Sequence, residues 1–458
     1  MTAFTQKFHT TFLSSLLAFF TFFFATQPAQ LFAMGKKPFV EKSIPKTFHI
    51  KNNEVAPVPL NLEDCYQLAL KRSETIAISN ETVNATQADF LAAASEAIGD
   101  ADFVMNYRRQ KVLKSGEGSS VGGTFNAPNR RDREFVISQP LFQGFKALGA
   151  IQGAGSLKKQ RVGEKKRAEQ LLFLDVAKAF YDVLMFQKDV ETIQGIRDLF
   201  EERMADLNER EKIGRSRRSE IVTAESRMRI IDSELAQAKG TLAVAKHILE
   251  FLVGIPVDSG QLKDMEIFEI EPETMDVYLA AADKRPDVEA AEQAVKTAWN
   301  GVVVAQSGLW PDISLVNNQY QKRDGFQDAI DWDLLFKINV PLYRGGETLG
   351  KIKSATSAWK KAKLFYSLAR RQAELDIKEA YQTWVASRNE YQALEKAVKS
   401  SEENFQLQKE DYSQNLVNNL DVLSALESLH ETRREANRAK YELKENYWNL
   451  KTAMGKTL

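Results

Sequence analysis

Ser138-Gln139-Pro140-Leu141-Phe142-Gln143-Gly144 returns 201 positions later as Asn339-Val340-Pro341-Leu342-Tyr343-Arg344-Gly345. The same offset carries Ala179-Phe180 onto Ala380-Tyr381, Glu220-Ile221-Val222 onto Asp421-Val422-Leu423, and Gly254 onto Gly455. Four matches at one spacing mark two ungapped copies of one long unit. Upstream, Lys71-Arg72-Ser73-Glu74 matches Lys284-Arg285-Pro286-Asp287 at an offset of 213. The extra residues in the first copy fall in the Gly- and Ser-rich stretch around Lys114 to Asn129. A loop tip tolerates such an insertion because few contacts depend on it. A period near 200 residues is too long for a solenoid and means a duplicated, domain-sized unit.

Proline punctuates each copy. None occurs from Leu141 to Ile255, or from Leu342 onward. Because proline breaks helix interiors, these stretches permit very long helices. Leu174, Ala177, Tyr181 and Leu184 step by three and four, as do Ile377, Tyr381, Trp384, Arg388, Tyr391, Leu394 and Val398. Those are coiled-coil intervals. Gly214 to Ser219 and Asn415 to Asn419 interrupt the two stretches, and Gly and Asn tolerate left-handed backbone, so both read as tight helix–helix turns. Helices are expected over Lys146–Glu211, about 100 Å long, over Ser219–Val253, about 50 Å, and over Glu74–Ile98, about 38 Å. Stacked end to end, the two shorter ones nearly match the long one. The expected fold is mainly α, a long antiparallel coiled-coil bundle with strands between the helices.

The clearest strand runs from Trp332 to Tyr343. Trp332, Leu334, Phe336, Ile338, Val340 and Leu342 share one face; Asp333, Lys337 and Asn339 share the other. Strict period two is strand evidence. Phe103, Met105 and Tyr107 alternate more weakly, and Phe135–Phe142 and Ile313–Tyr320 more weakly still. Apolar outside and polar inside is the pattern of a barrel wall in lipid, and Trp332 and Phe336 suit the aromatic belt at its boundary. Four strands cannot close a membrane barrel, which needs about eight, and an open edge cannot face lipid. If these strands span a membrane, several chains must therefore share one barrel.

The remaining features bound the function. Lys7 precedes an apolar run from Phe12 to Ala25, with small residues at Ala33-Met34-Gly35, which reads as a signal peptide over residues 1–35. The run falls short of the roughly 20 residues a spanning helix needs. The 62 basic and 62 acidic residues cancel, so no net field draws the chain to nucleic acid. Cys65 is alone and reads as a small buried helix residue. The histidines at 9, 49, 247 and 430 have no metal-site spacing. No phosphate-binding glycine loop or nucleophile–base set is present, so no cofactor, metal or enzyme activity is expected. Residues 36–60, with four prolines, read as an extended arm. The first repeat then covers 61–255, with a strand pair about 101–142 and a tip at 212–221. A linker follows at 256–274. The second repeat covers 275–458, with a strand pair about 311–343 and a tip at 413–423.

At this point the sequence resembles the TolC family of outer-membrane factors. Asn61-Leu62-Glu63-Asp64 with Ala69-Leu70-Lys71-Arg72 is similar to its opening helix, and Gln139-Pro140-Leu141-Phe142 and Val340-Pro341-Leu342-Tyr343-Arg344-Gly345-Gly346 to its strand-to-helix junctions. Arg285-Pro286-Asp287-Val288, Leu309-Trp310-Pro311 and Asp421-Val422-Leu423 complete the ordered set over residues 61 to 455. The resemblance implies a homotrimer with a shared twelve-stranded barrel in outer-membrane lipid and an α-helical tunnel in the periplasm. It implies an exit duct for efflux or type I secretion, fed by an inner-membrane pump and a periplasmic adaptor (membrane fusion protein).

The resemblance also assigns a periplasmic gate. Asp421 matches the acid at the narrowest ring, while Ser424 stands where a second acid is common. Tyr412 matches a latch tyrosine and Glu220 its acidic partner; Val417 stands where the family has a latch arginine. Arg215, Arg217 or Arg218 could supply that charge instead. With Ile213, Gly214, Asn415 and Leu416, these arginines are expected at adaptor-contacting tips. For Asp421 and Glu220, helix capping is a compatible alternative, since carboxylates suit the first turn of a helix. A rival of another class, a pore-free periplasmic coiled-coil scaffold or adaptor, would fold as one hairpin with mirrored halves. This chain repeats in direct order.

Overall fold

The computed structural model describes residues 59–109, 111, 129–258, 262–264, 271–324 and 329–457. The signal segment, nearly all of the N-terminal arm, the Gly- and Ser-rich insertion and part of the linker lie outside the described residues. The chain opens with α1 (Leu62–Arg72), α2 (Glu74–Ile98), β1 (Asp100–Arg109), β2 (Asn129–Gln143), α3 (Lys146–Lys212) and α4 (Arg218–Val253). It continues with α5 (Met275–Leu279), α6 (Pro286–Gln306), β3 (Asp312–Arg323), β4 (Trp332–Asn339), α7 (Glu347–Ser413) and α8 (Asn419–Ala453). Helices α3 and α7 are each 67 residues, about 100 Å at 1.5 Å per residue.

Local chemistry fixes where elements begin and end. Asn61 and Asp64 form a reciprocal capping box at the start of α1, with bonds of 2.8 and 3.2 Å, satisfying two backbone donors the helix leaves free. Ser73 ends α1 and caps α2, and Gly99, with φ of 87°, stops α2. Leu62, Cys65 and Ala69 of α1 are fully buried against Phe173, Val176 and Phe180 of α3. There α3 is buried nearly all round, because α1, α4 and α8 pack about it. The seam read from Leu174 and its partners is thus a broad core segment, with Leu174 only half-buried. In α7 the buried seam is narrow but shifted: Ala373, Ile377, Ala380, Trp384 and Ser387 are buried at intervals of three and four, and of the residues read from the sequence only Ile377 and Trp384 belong to it.

The duplication closes in space. Gly254 and Gly455 end the two repeats at φ of 83° and 77°. A β-carbon on Gly254 would lie 2.3 Å from Arg72 Cδ, and one on Gly455 3.3 Å from Arg285 Cγ. Each repeat therefore folds its last turn onto the arginine of its own opening motif. Helices α2 and α4 follow α3 in succession: Phe90 meets Gly155 near its start, and Asp232 pairs with Arg197 farther along.

The strands form one antiparallel sheet, β1-β2-β3-β4. Phe103 faces Phe135, Asn317 faces Leu334, and Leu315 faces Phe336. Strand β4 stops at Asn339, four residues short of the expected Tyr343. Pro341 has no N–H to donate to a ladder, and Gly345 and Gly346 then turn the chain at φ of 57° and 86°. Strand β2 is the longest, at 15 residues, and passes Pro140 through a register shift. Among the described residues no helix is long and apolar enough to cross a membrane.

Candidate barrel wall and periplasmic gate

Trp332, Leu334, Phe336 and Ile338 project from one face of the sheet, each more than half exposed. Phe103, Met105, Tyr107, Phe135 and Ile137 share that face through the β1–β2 and β2–β3 registers. On the opposite face, Asn318 and Tyr320 each donate to the Asp333 carboxylate at 2.8 Å. The apolar side continues past β4 to Val340 and Leu342. From Trp332 to Leu342 the chain covers about 33 Å, enough for the roughly 25 Å apolar band of a tilted barrel strand. At the helix end, Phe142, Phe145 and Trp310 pack edge to face with centroids 5.4 to 6.5 Å apart. This aromatic group suits a lipid boundary; the alternation of β4 could not reveal it, because its members come from two separate junctions. Among the described residues, strands β1 and β4 each keep one edge unpaired.

At the far ends of the long helices, the two turns are built alike. Gly214 (φ 77°) and Asn415 (φ 59°), 201 positions apart, hold the left-handed residue. The Gly214 N–H donates to Glu211 O and that of Arg215 to Arg210 O; Asn415 and Leu416 repeat this onto Tyr412 O and Asp411 O. These paired bonds satisfy the last helical carbonyls. Ile213, Gly214, Arg215, Arg217, Arg218, Asn415 and Leu416 are all exposed. Arg218 lies 3.8 Å from Glu211, and no ion pair holds Arg215 or Arg217 among the described residues.

Asp421 is exposed and completes a capping box. Its Oδ2 accepts from the Asn418 N–H at 3.0 Å, while Asn418 Oδ1 accepts from Leu420 and Asp421. Ser424, one turn on, is also exposed. Glu220 makes no such cap; its Oε2 accepts the Ser216 hydroxyl at 2.7 Å. Tyr412 is buried, and among the described residues no bond joins it to Glu220. Instead, the Arg203 and Arg210 guanidinium carbons lie 3.9 and 4.6 Å from its ring centroid. Val417 is half-buried against the apolar cluster of the tips.

Arg203 supplies a connection that the tip sequences do not contain. Buried on α3, it donates to Asn419 Oδ1 from Nε at 3.0 Å and from Nη2 at 2.8 Å, and to Asp206 at 2.7 Å. One guanidinium thus ties the start of α8 and the Tyr412 ring to the first hairpin. Asn419 and Tyr412 lie more than 200 residues away along the chain, so no local pattern marks their tie to Arg203.

Nearer the middle, α3, α4 and α8 line a half-open charged cleft of about 910 Å³. Arg434 forks onto Asp189 at 2.8 and 3.0 Å and reaches Glu234 at 3.1 Å. Burial, then the charge of Asp182, pushes the Glu445 carboxyl up to about 8, partly offset by Lys178. Its folded value thus exceeds the ordinary 4.5. The neutral form is therefore favoured on folding, and stability is lost as pH rises from about 4.5 to about 8. Glu445→Gln is expected to raise the melting temperature by several degrees at pH 8 and to leave it unchanged at pH 4.5. Thermal circular dichroism in detergent at both pH values measures this; equal shifts would remove the carboxyl as the cause.

Comparison with known proteins follows the same lines. The family model described as outer membrane efflux protein matches residues 277–456. The alkaline protease secretion protein AprF of Pseudomonas aeruginosa is 23% identical over 411 residues, covering 83% of each chain. The outer membrane protein TolC of Vibrio cholerae is 22% identical, over 74% of this chain and 80% of that protein. The chain is similar to outer membrane efflux proteins along most of its length, and their family model covers its second repeat. Among solved structures, CusC superposes with a TM-score of 0.73 at 17% identity, over 90% of this chain and 97% of that one. The Vibrio cholerae protein VceC gives 0.72 at 20% identity, over 86% and 96%. These outer membrane efflux proteins share the architecture described above, long helical hairpins joined to a four-stranded sheet.

Proposed function

We propose that three copies of this chain form an exit duct, a shared β-barrel in the outer membrane continuous with a helical tunnel in the periplasm. Cargo passes through it passively, handed over by an inner-membrane pump and a periplasmic adaptor. The observation that carries this reading is a four-stranded sheet, apolar outside and polar inside, with both edges open and 67-residue helices attached. Open edges cannot face lipid, so the sheet is complete only when copies join. A pore-free scaffold would have no use for such a sheet. Purified protein is expected as a heat-resistant trimer giving discrete conductance steps in planar bilayers. A soluble, non-conducting monomer would overturn the reading. Relatives are named for protease secretion and for cation efflux, and the pump, rather than the duct, is the natural place for that choice.

In this reading Asp421 lines the periplasmic constriction, and threefold symmetry sets three carboxylates about one axis, where they attract cations. Since Asp421 also caps α8, Asp421→Asn separates the roles: the amide oxygen still accepts from Asn418, but the charge is gone. The expected result is a severalfold weaker block by divalent cations with unchanged thermal stability. Undiminished block would place the constriction elsewhere. The exposed tip arginines Arg215, Arg217 and Arg218 then contact the adaptor.

A further inference from the structure

One helix contact inside the chain joins the two repeats. Helix α3 of the first repeat packs on α6 of the second. β-Carbons built on Gly149, Gly153 and Gly163 would lie 3.1 Å from Val304, 3.3 Å from Asn300 and 3.0 Å from Ala290. As α3 advances, its partner on α6 retreats by nearly equal steps, so the two run antiparallel in constant register. Their repeat equivalents, α7 and α2, make no comparable contact within one chain among the described residues. Yet α2 leads into β1 and α7 follows β4, the two strands with unpaired edges. A neighbour that adds its β1 to this β4 brings its α2 to this α7.

The equivalence can be followed residue by residue. An offset of 201 carries α3 onto α7, matching both helix ends. An offset of 212 carries α2 onto α6, matching buried Ile76 with buried Val288 and the strand starts Asp100 and Asp312. This is one residue less than the opening motifs give. The three in-chain contacts then become Gly350 with Ala92, Ser354 with Ala88, and Leu364 with Ile78. All six are exposed, Ile78 by 67% and Leu364 by 72%. On each helix they fall at coiled-coil spacing, small residues toward the membrane and large apolar ones farther away. In the same register Lys361 faces Glu81. Among the described residues Lys361 has no acidic partner and Glu81 no basic one.

We propose that α2 of one copy packs antiparallel along α7 of the next in this register, with Leu364 on Ile78 and Lys361 paired with Glu81. The inference rests on the trimeric duct reading. It specifies which faces meet and which charges choose the register. Small residues near the membrane let the helices approach closely, as Gly149 and Gly153 do within the chain. The opposed charges penalise a slip of one turn, which would bring Lys361 opposite Ala85 or Ala77.

The test uses full-length protein in outer-membrane fractions with Cys65, fully buried, replaced by serine. Oxidation of Ile78→Cys combined with Leu364→Cys is expected to give covalent dimers and trimers on non-reducing gels; either cysteine alone should give none. Lys361→Glu is expected to lower the temperature at which the detergent-resistant trimer dissociates, and adding Glu81→Lys to restore it. If the protein is trimeric by mass in detergent but the cysteine pair stays uncrosslinked, the seam is wrong while the duct stands. A double charge variant as labile as the single one would likewise overturn the pairing. A monomer by mass would overturn both the seam and the duct.

Discussion

Arg203→Ala is expected to raise the resting conductance of the channel several-fold and to shorten its closed periods. Arg203 makes two bonds to Asn419 Oδ1 and covers the Tyr412 ring, so it fastens the second hairpin, which carries Asp421, to the first. Hydrogen bonds from a charged donor contribute about 1.5–3 kcal/mol. Losing about 2 kcal/mol from the closed arrangement would shift the balance toward open by about 30-fold. Alanine also leaves Asn419, itself buried, without that donor. Arg203→Lys should fall between, because an ammonium keeps the charge over the ring but lacks the fork. Single-channel recording at fixed voltage separates these cases. If conductance stays at the wild-type value while the melting temperature falls, Arg203 serves stability alone and the gate is held elsewhere.

Why Arg203 escaped a reading of the sequence is instructive. The family resemblance directs attention to position 417, where valine stands, and to the arginines of the first tip. The structure leaves Arg215 and Arg217 without ion partners among the described residues and places the buried arginine ten residues above the turn. A cross-hairpin contact depends on how two 67-residue helices are rotated against one another, which no short window contains. The helices themselves were legible because proline is missing over long stretches and because the repeat supplies a second reading of each boundary. Ser73 and Gly99 bracket α2 with ordinary cap chemistry, and its predicted ends agree with those observed. The strands were less legible. On β2 the outward positions nearest the loop are Arg131 and Arg133, so alternation fades where the strand continues. On β4 the apolar alternation runs on through Val340 and Leu342, and only the missing N–H of Pro341 ends the ladder. Tyr412 lies on the last turn of α7, where its neighbours are arginines of the first repeat rather than Glu220.

A second substitution should cost the most stability. Arg285 is 2% exposed and lies where α6, α7 and the end of α8 converge. It forks onto Asp287 at 2.8 and 2.7 Å and reaches Asp376 at 2.7 Å, while its carbon chain packs against Gly455. Removing one partner of a buried ion network costs about 3–5 kcal/mol, because the remaining charge stays desolvated. Arg285→Ala leaves two carboxylates with Arg167, 3.9 Å from Asp287, as the nearest compensation. The pH dependence identifies the cause. Burial would raise the Asp287 carboxyl, but the hydrogen bonds and charge of Arg285, with Arg167 behind, hold it below the usual carboxylate range. A lowered folded value stabilises the protein above the ordinary value near 4 and ceases to do so as pH falls through the folded one. In the alanine variant, burial acts with less opposition and protonation relieves it. The gap in melting temperature between wild type and variant should therefore be widest at pH 7 and narrow below about pH 4. A gap independent of pH would trace the loss to the packing of Arg285 on Gly455 rather than to its charge.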